Sequence, residues 1–243
     1  MLAREGAKVM LVDIHPERAE DTKRIIEEEE GTAAVFQADV TKASDCEAMV
    51  RATVDTFGTV DILINNIGIG SPSANIIDCT EEEWDQALNI NLRTAFLASK
   101  YALPVMIERG SGAIVSVSSI VAFRGTGHPA YSAAKGGILA LTVDMAYAHG
   151  RQGVRVNAIA PGHIITPLLY QTSLGDGPEA KLAEDLRAAS SLLGTQGTAW
   201  DIAAAATFLA SDDARWITGM TLTVDGGVTK VTPLMMAEHL RAV

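Results

Sequence analysis

Lys8-Val9-Met10-Leu11-Val12-Asp13 carries four consecutive apolar residues, closes on a carboxylate, and is followed by a helical pattern from Pro16 to Glu30. Apolar side chains at both parities of a strand mean that both of its faces are covered, as in parallel strands packed between two helix layers. Ile62-Leu63-Ile64 repeats the character. Working outward, strands are expected at Lys8–Asp13, Ala33–Asp39, Val60–Ile64, Ala113–Val117, Val154–Ile159 and Thr221–Val224. Helices are expected at Pro16–Glu30, Ser44–Phe57, Glu81–Arg109, Pro129–Gly150 and Ala199–Ser211. Strand–helix alternation throughout predicts an α/β fold, a doubly wound parallel sheet with right-handed crossovers. No internal repeat or interdomain linker is visible, so one domain over residues 1–243 is expected.

Local punctuation agrees. Thr80-Glu81-Glu82-Glu83 has the form of a capping box, a threonine N-cap with a glutamate three residues on. Gly31, Gly58, Gly110 and Gly150 fall at expected helix ends, where glycine can turn left-handed.

Bulk properties exclude several functions. Apolar residues make up 48% and charged residues 20%, enough for a buried core. No apolar run reaches the length of a membrane span, and Met1 to Ala7 has no apolar signal core. Cys46 and Cys79 form no metal or redox spacing, so no metal site is expected and a reducing, cytoplasmic setting suits them. A net charge of −11 argues against nucleic acid. The acidic run Glu27 to Glu30 is the solvated end of a helix.

Tyr131 and Lys135 are the sharpest chemical signal. Spaced i and i+4 on an expected helix, both project from one face. A free tyrosine titrates near pH 10, and a neighbouring cation favours the phenolate. Such a pair can pass a proton to or from a substrate oxygen. Upstream, the strand Ala113–Val117 ends in Ser118 and Ser119; residues past the carboxyl end of a strand line the ligand crevice of an open α/β sheet. A serine there can hydrogen-bond the reacting oxygen. Asn91 interrupts the apolar surface of the long helix Glu81–Arg109, between Ile90 and Leu92.

Asn91, the serine pair, Tyr131-Ser132-Ala133-Ala134-Lys135, Asn65-Asn66-Ile67-Gly68 and Pro161-Gly162-His163-Ile164-Ile165-Thr166 stand in the order and spacing of the short-chain dehydrogenase/reductase family. Asp39-Val40 and Val224-Asp225-Gly226-Gly227 are further landmarks, and the resemblance runs from about Leu2 to Gly227. It implies a Rossmann-type sheet and a nicotinamide-dependent oxidoreductase acting on a secondary alcohol or ketone. It implies that Tyr131 is the general acid/base, that Lys135 lowers its pKa and holds the nicotinamide ribose, and that Asn91 holds a water in a proton relay. A serine orients the carbonyl. Strand register favours Ser119, which lies 12 residues before Tyr131, whereas Ser118 has the family's usual spacing of 13.

The resemblance also implies the cofactor contacts. Asp13 would accept from the adenosine ribose hydroxyls and repel a 2′-phosphate, giving NAD preference over NADP. Asp39 and Val40 would flank the adenine, and Asn66, Ile67 and Gly68 would pass beneath the ribose. Ile67 stands where the family usually has alanine. Pro161 and Gly162 would shape the turn that lets Ile164 and Thr166 reach the carboxamide.

One departure is large. Family members open with an apolar strand and a Thr-Gly-x-x-x-Gly-x-Gly loop that supplies backbone N–H groups to the pyrophosphate. This sequence starts inside the helix that follows. The expectation is that Met1 is an internal methionine, that the working protein carries roughly 20–25 more residues, and that two strands here have unpaired edges.

The segment from Pro167 to about Gly197 is expected to be a substrate lid. It offers no arginine pair for a carboxylate and no basic patch for a carrier protein. Apolar residues on several sides of the two long helices suit a subunit interface, and the resemblance implies a homodimer or homotetramer. The competing class is a non-catalytic protein on the same scaffold, favoured by the absent glycine loop and opposed by the retained Asn91, Ser119, Tyr131 and Lys135.

Overall fold

The computed structural model describes residues 1–166 and 178–231. All strand pairings are parallel. β1 (Lys8–Asp13) pairs with β2 (Thr32–Gln37), with Lys8 opposite Thr32. A four-stranded sheet runs β3 (Ile62–Asn65), β4 (Gly112–Val117), β5 (Val154–Pro161) and β8 (Thr221–Val224), with Ile62 opposite Ala113, Gly112 opposite Val154 and Ala158 opposite Thr221. A two-residue ladder joins β6 (Ile164–Ile165) to β7 (Gly197–Thr198). The connecting helices are α1 (Pro16–Glu28), α2 (Ala43–Phe57), α3 (Glu81–Leu88), α4 (Thr94–Arg109), α5 (Pro129–His149), α6 (Pro178–Ala189) and α7 (Ala199–Ala210).

Two apolar layers show why the central strands are apolar at both parities. On one face, Ile114, Val154 and Val156 pack against Met49 and Val50 of α2, Leu97 and Met106 of α4, and Met145 of α5. On the other, Val115 and Ile159 pack against Ala206 and Leu209 of α7, joined by Leu2. Adjacent residues of β4 therefore face opposite layers, and the sheet is doubly wound.

Among the described residues β1 has a ladder partner only in β2, and β3 only in β4. The consequence is visible in burial. Four residues of β4 and six of β5 are buried, but none of β1 or β3 is. These are the two open edges expected from the sequence.

Three local expectations are corrected. The long helix is not continuous: a π-turn over Asn89–Arg93 separates α3 from α4. Of the four punctuating glycines, Gly58 and Gly110 are left-handed, but Glu30 (φ 62) takes that role before Gly31, and Gly153 (φ 85) takes it after Gly150. Gly31 is required for space, since a Cβ there would sit 2.8 Å from Ile26 Cγ2. Thr80 caps α3 by accepting from the Glu83 N–H at 3.1 Å, but the Glu83 carboxylate does not close a box. It accepts instead from the Ser71 and Ser73 hydroxyls and from the Ser73 N–H at 3.0 Å, pinning the loop ahead of the helix.

Of the expected lid, residues 167–177 lie outside the described residues; the remainder forms α6 and the turn into β7. No described helix is long and apolar enough to cross a membrane. Among the described residues, no group of three His, Cys, Asp or Glu side chains is positioned to hold a metal ion.

Candidate active site

The carboxyl ends of β3, β4 and β5 converge with the N-terminal turns of α5. Pro129 at the first position of α5 begins the helix without wasting a backbone donor. Tyr131 and Lys135 then follow one turn apart on the face turned to the sheet, with Lys135 Nζ 5.6 Å from the Tyr131 ring centroid.

The two serines divide their roles. Ser118 is buried and its hydroxyl donates to the Lys135 carbonyl at 2.7 Å, fastening β4 to α5. Ser119 stands at the mouth of the strand and its hydroxyl reaches the Tyr131 phenol. Of the two serines, Ser119 is thus the one that acts on the tyrosine, while Ser118 is committed to the α5 backbone.

Asn91 sits in the middle of the π-turn and is almost fully buried. A π-turn shifts the helical bond pattern and leaves carbonyls for side chains to satisfy. Asn91 Nδ2 donates to the Ala87 carbonyl at 3.0 Å, and Thr94 Oγ1 donates to that of Ile90 at 2.6 Å. Asn91 Oδ1 is thus aimed at the loop after β3, where it accepts from the Ile69 N–H at 3.1 Å. Gly68 in that loop is wedged in the same place: a Cβ there would meet Asn91 Oδ1 at 2.9 Å and Lys135 Nζ at 3.2 Å. Any larger residue would push the asparagine and the lysine aside.

Burial dominates the electrostatics. Lys135 Nζ donates to the Val117 carbonyl at 2.9 Å, and desolvation lowers its pKa to about 8. Burial likewise raises the Tyr131 phenol above its ordinary value, against a smaller lowering by Ser119. The phenol is therefore held protonated, and the lowering of its pKa expected from Lys135 is not seen: burial and Ser119 are what act on it.

The remaining expected site residues are spread along the same edge. Asp13 ends β1, and its Oδ1 accepts from the His15 N–H at 2.9 Å. Asp39 is turned to local structure: its Oδ1 accepts from Thr41 N and Oγ1 at 3.1 and 2.6 Å, and Oδ2 pairs with Lys42 at 3.3 Å. The Thr41 bonds lead the lowering of its pKa. Val40 is buried in the core. Asn66 and Ile67 are exposed just past β3. Gly162 has a structural reason of its own, since a Cβ would lie 2.7 Å from Asp225 Cα. Its N–H donates to the Val224 carbonyl at 2.9 Å, tying the Pro161–Thr166 segment to β8, while Ile164 packs on Gly197.

Folding also assembles a group that sequence reasoning missed. His163, in the turn after β5, is half-buried and held down to about 4, by burial first and then by the Arg187 and Arg124 cations, with Asp225 opposing. Two arginines 63 positions apart in sequence thus act on one imidazole. Sequence spacing carried no hint of the pair.

The chain matches the family model described as enoyl-(acyl carrier protein) reductase over residues 1–229. It is 39% identical to levodione reductase of Leifsonia aquatica over 231 residues, 93% of this chain and 86% of that protein. It is 39% identical to 2-(S)-hydroxypropyl-CoM dehydrogenase 3 of Xanthobacter autotrophicus over 229 residues, 94% of this chain and 89% of that one. The crystal structure of levodione reductase superposes with a TM-score of 0.90 at 37% identity, covering 95% of this chain and 91% of that one. The fold and these matches define an oxidoreductase on a Rossmann-type sheet. The chain belongs to the short-chain dehydrogenase/reductase family.

Proposed function

We propose that this protein transfers a hydride between NAD(H) and a secondary alcohol or its ketone, with Tyr131 as general acid/base. The observation that carries the proposal is the convergence of Asn91, Ser119, Tyr131 and Lys135 on one crevice, with Gly68 as the wedge that lets two of them meet. Burying these polar groups together costs stability even with their hydrogen bonds, and a role in chemistry accounts for their retention in one place. Relatives named for alcohol and ketone substrates, levodione reductase and (+)-borneol dehydrogenase 2 of Salvia officinalis among them, support the substrate class.

The residues present fit the ribose end of a nicotinamide cofactor. Lys135 Nζ spends one N–H on Val117 and keeps two, and Gly68 leaves beside it a space that a Cβ would fill. When bound, the cofactor supplies the hydride. Ser119 hydrogen-bonds the substrate oxygen, and the Tyr131 phenol gives it a proton in reduction and takes one in oxidation. Asn91 holds a water that reconnects Lys135 to solvent. Cofactor contacts extend to Asn66, Ile67, Pro161, Gly162, Ile164 and Thr166, and to Asp39 and Val40 at the adenine. One Asp13 oxygen holds its own turn, and the other accepts from the adenosine ribose, which favours NAD.

The test is NADH formation from secondary alcohols with NAD⁺ and NADP⁺ side by side. Turnover with NAD⁺ at least about tenfold more efficient than with NADP⁺ is expected. A preference for NADP⁺ would sink the role of Asp13, and no turnover of any alcohol would sink the reaction.

We further propose that the protein is a homodimer or homotetramer joined through α4 and α5. A groove of about 950 Å³ between α3–α4 and α5 is lined by Leu88, Leu92, Phe96, Ala140 and Leu141, together with the charged side chains of Asp85, Arg93 and Asp144. Phe96, Val143 and Tyr147 are exposed on these helices. A two-fold axis would bring this same face of each copy together, as isologous contacts require. Light scattering should give two or four times 25.6 kDa; a mass of one chain would refute the assembly.

A further inference from the structure

Arg93 closes the π-turn over Asn89–Arg93 and is exposed. Asp85 and Asp144 line the same groove, yet among the described residues neither forms an ion pair with it. Its Nη1 donates instead to two neutral oxygens, the Thr41 carbonyl at 2.5 Å and Asn89 Oδ1 at 3.2 Å. The second bond stays inside the π-turn and steadies the side chain. The first reaches back 52 positions, to the turn after β2.

That turn, Asp39 to Lys42, is otherwise held by its own neighbours. Asp39 N–H donates to Asp45 Oδ2 at 3.0 Å, and the Cys46 thiol donates to the Val40 carbonyl at 3.2 Å, both partners lying on α2. The Asp39 carboxylate is fastened to Thr41 and Lys42, so it can meet a ligand only where the turn places it. Among the described residues, Arg93 makes the one side-chain bond to this turn from outside β2 and α2. A cation beside the N-terminus of α2 runs against the helix dipole, so the stability of that helix does not account for the placement.

Sheet topology gives the bond its importance. No ladder joins β1 and β2 to the four-stranded sheet among the described residues. Strand pairing therefore does not set the turn after β2 against the crevice; the packing of α2 on α4 and the Arg93 bond do. The same π-turn also serves the crevice itself, since Asn91 Oδ1 accepts from the Ile69 N–H in the loop after β3. One distorted turn thus pins two loops at the carboxyl ends of parallel strands, where an open α/β sheet binds its ligands.

Resting on the NAD(H) reading above, we infer that Arg93 is a positioning residue for the adenosine half of the cofactor. It sets the turn that meets the adenine at a fixed distance from the π-turn that carries Asn91. It acts through the Thr41 carbonyl and touches neither the substrate nor the reacting atoms.

The test measures dissociation constants of ADP-ribose and NAD⁺ by calorimetry, and kcat at saturating NAD⁺, for the parent, Arg93→Ala and Arg93→Lys. Light scattering follows the mass of each. Arg93→Ala should bind both nucleotides about 5- to 10-fold more weakly, the worth of one net hydrogen bond. Its kcat should stay within about twofold of the parent's, because the lost interaction serves the ground state and the transition state alike. Arg93→Lys, which still carries N–H donors for the Thr41 carbonyl, should recover most of the affinity. Parental affinity in Arg93→Ala would overturn the positioning role and leave the NAD(H) reading standing. A kcat that falls along with the affinity would move the effect of Arg93 to Asn91 and overturn it too. A loss of affinity that tracks a lower mass would assign Arg93 to assembly instead. A parent protein that binds neither nucleotide would overturn the NAD(H) reading, and the inference with it.

Discussion

Tyr131→Phe should lower kcat by about 10²- to 10⁴-fold, the range over which positioned proton transfer contributes, and should leave cofactor affinity within a few-fold. The phenol is the one group in the crevice both buried enough to be held protonated and in contact with Ser119. Burial moves its pKa upward, so at neutral pH the acid form dominates and reduction of a ketone finds its proton in place. Oxidation needs the phenolate. The oxidation rate of the parent should therefore climb with pH as the phenolate fraction grows, while the reduction rate stays level until the phenol itself titrates, above its ordinary value near 10. The phenylalanine variant keeps the ring and loses the hydroxyl, so both pH profiles should flatten. Stopped-flow measurement of the hydride step at several pH values checks this. A variant retaining more than a tenth of parental kcat, or a reduction rate that rises with pH, would remove Tyr131 from the proton-transfer role.

What the sequence made legible follows from which signals are local. Lys8–Asp13 and Ala113–Val117 are strands because apolar side chains at both parities satisfy two helix layers, and the structure puts Ile114 and Val115 into opposite cores as that pattern requires. The i, i+4 spacing of Tyr131 and Lys135 likewise needed only a helix. Asn91 was legible as an anomaly, but not the π-turn that explains it. That distortion depends on a loop 22 residues away, where Ile69 N–H takes Asn91 Oδ1. Glu83 satisfied a local capping rule yet serves Ser71 and Ser73 instead, because a tertiary partner competes with the backbone for the same carboxylate. Gly31 fits a helix stop by composition, while its actual constraint is the methyl group of Ile26. That Arg124 and Arg187 both act on His163 was beyond reach for a simple reason: the two segments lie far apart in the chain, and backbone bonds to the turns after β5 and β8 bring them near it. The choice between Ser118 and Ser119 turned on which hydroxyl the α5 backbone claims.

Lys135→Met should do two opposite things: abolish most activity and stabilise the cofactor-free protein near neutrality. Burial lowers the Lys135 pKa to about 8 from 10.5, so the folded state disfavours the charge that the unfolded chain carries freely. The sign follows from proton counts. Between about pH 8 and 10.5 the unfolded chain binds more protons at this site than the folded one, so stability rises with pH across that window. Below it the penalty is present in full, at roughly 3 kcal/mol for a displacement of that size. Methionine has a similar shape and no charge. It gives up the bond from Nζ to the Val117 carbonyl, worth about 1 kcal/mol, and removes the larger penalty. The net gain at pH 7 should be about 1–2 kcal/mol, or a few degrees in Tm for a chain of this size, and it should shrink towards pH 10. Turnover should fall by about 100-fold or more, since the phenol loses the cation that favours its ionised form once cofactor and substrate exclude water. A Lys135→Met protein less stable than its parent at pH 7 would mean that the lysine is retained for its bond to β4 and not for chemistry. A more stable and inactive one would identify a buried charge kept against the interest of the fold, as expected of a group that acts on the neighbouring phenol.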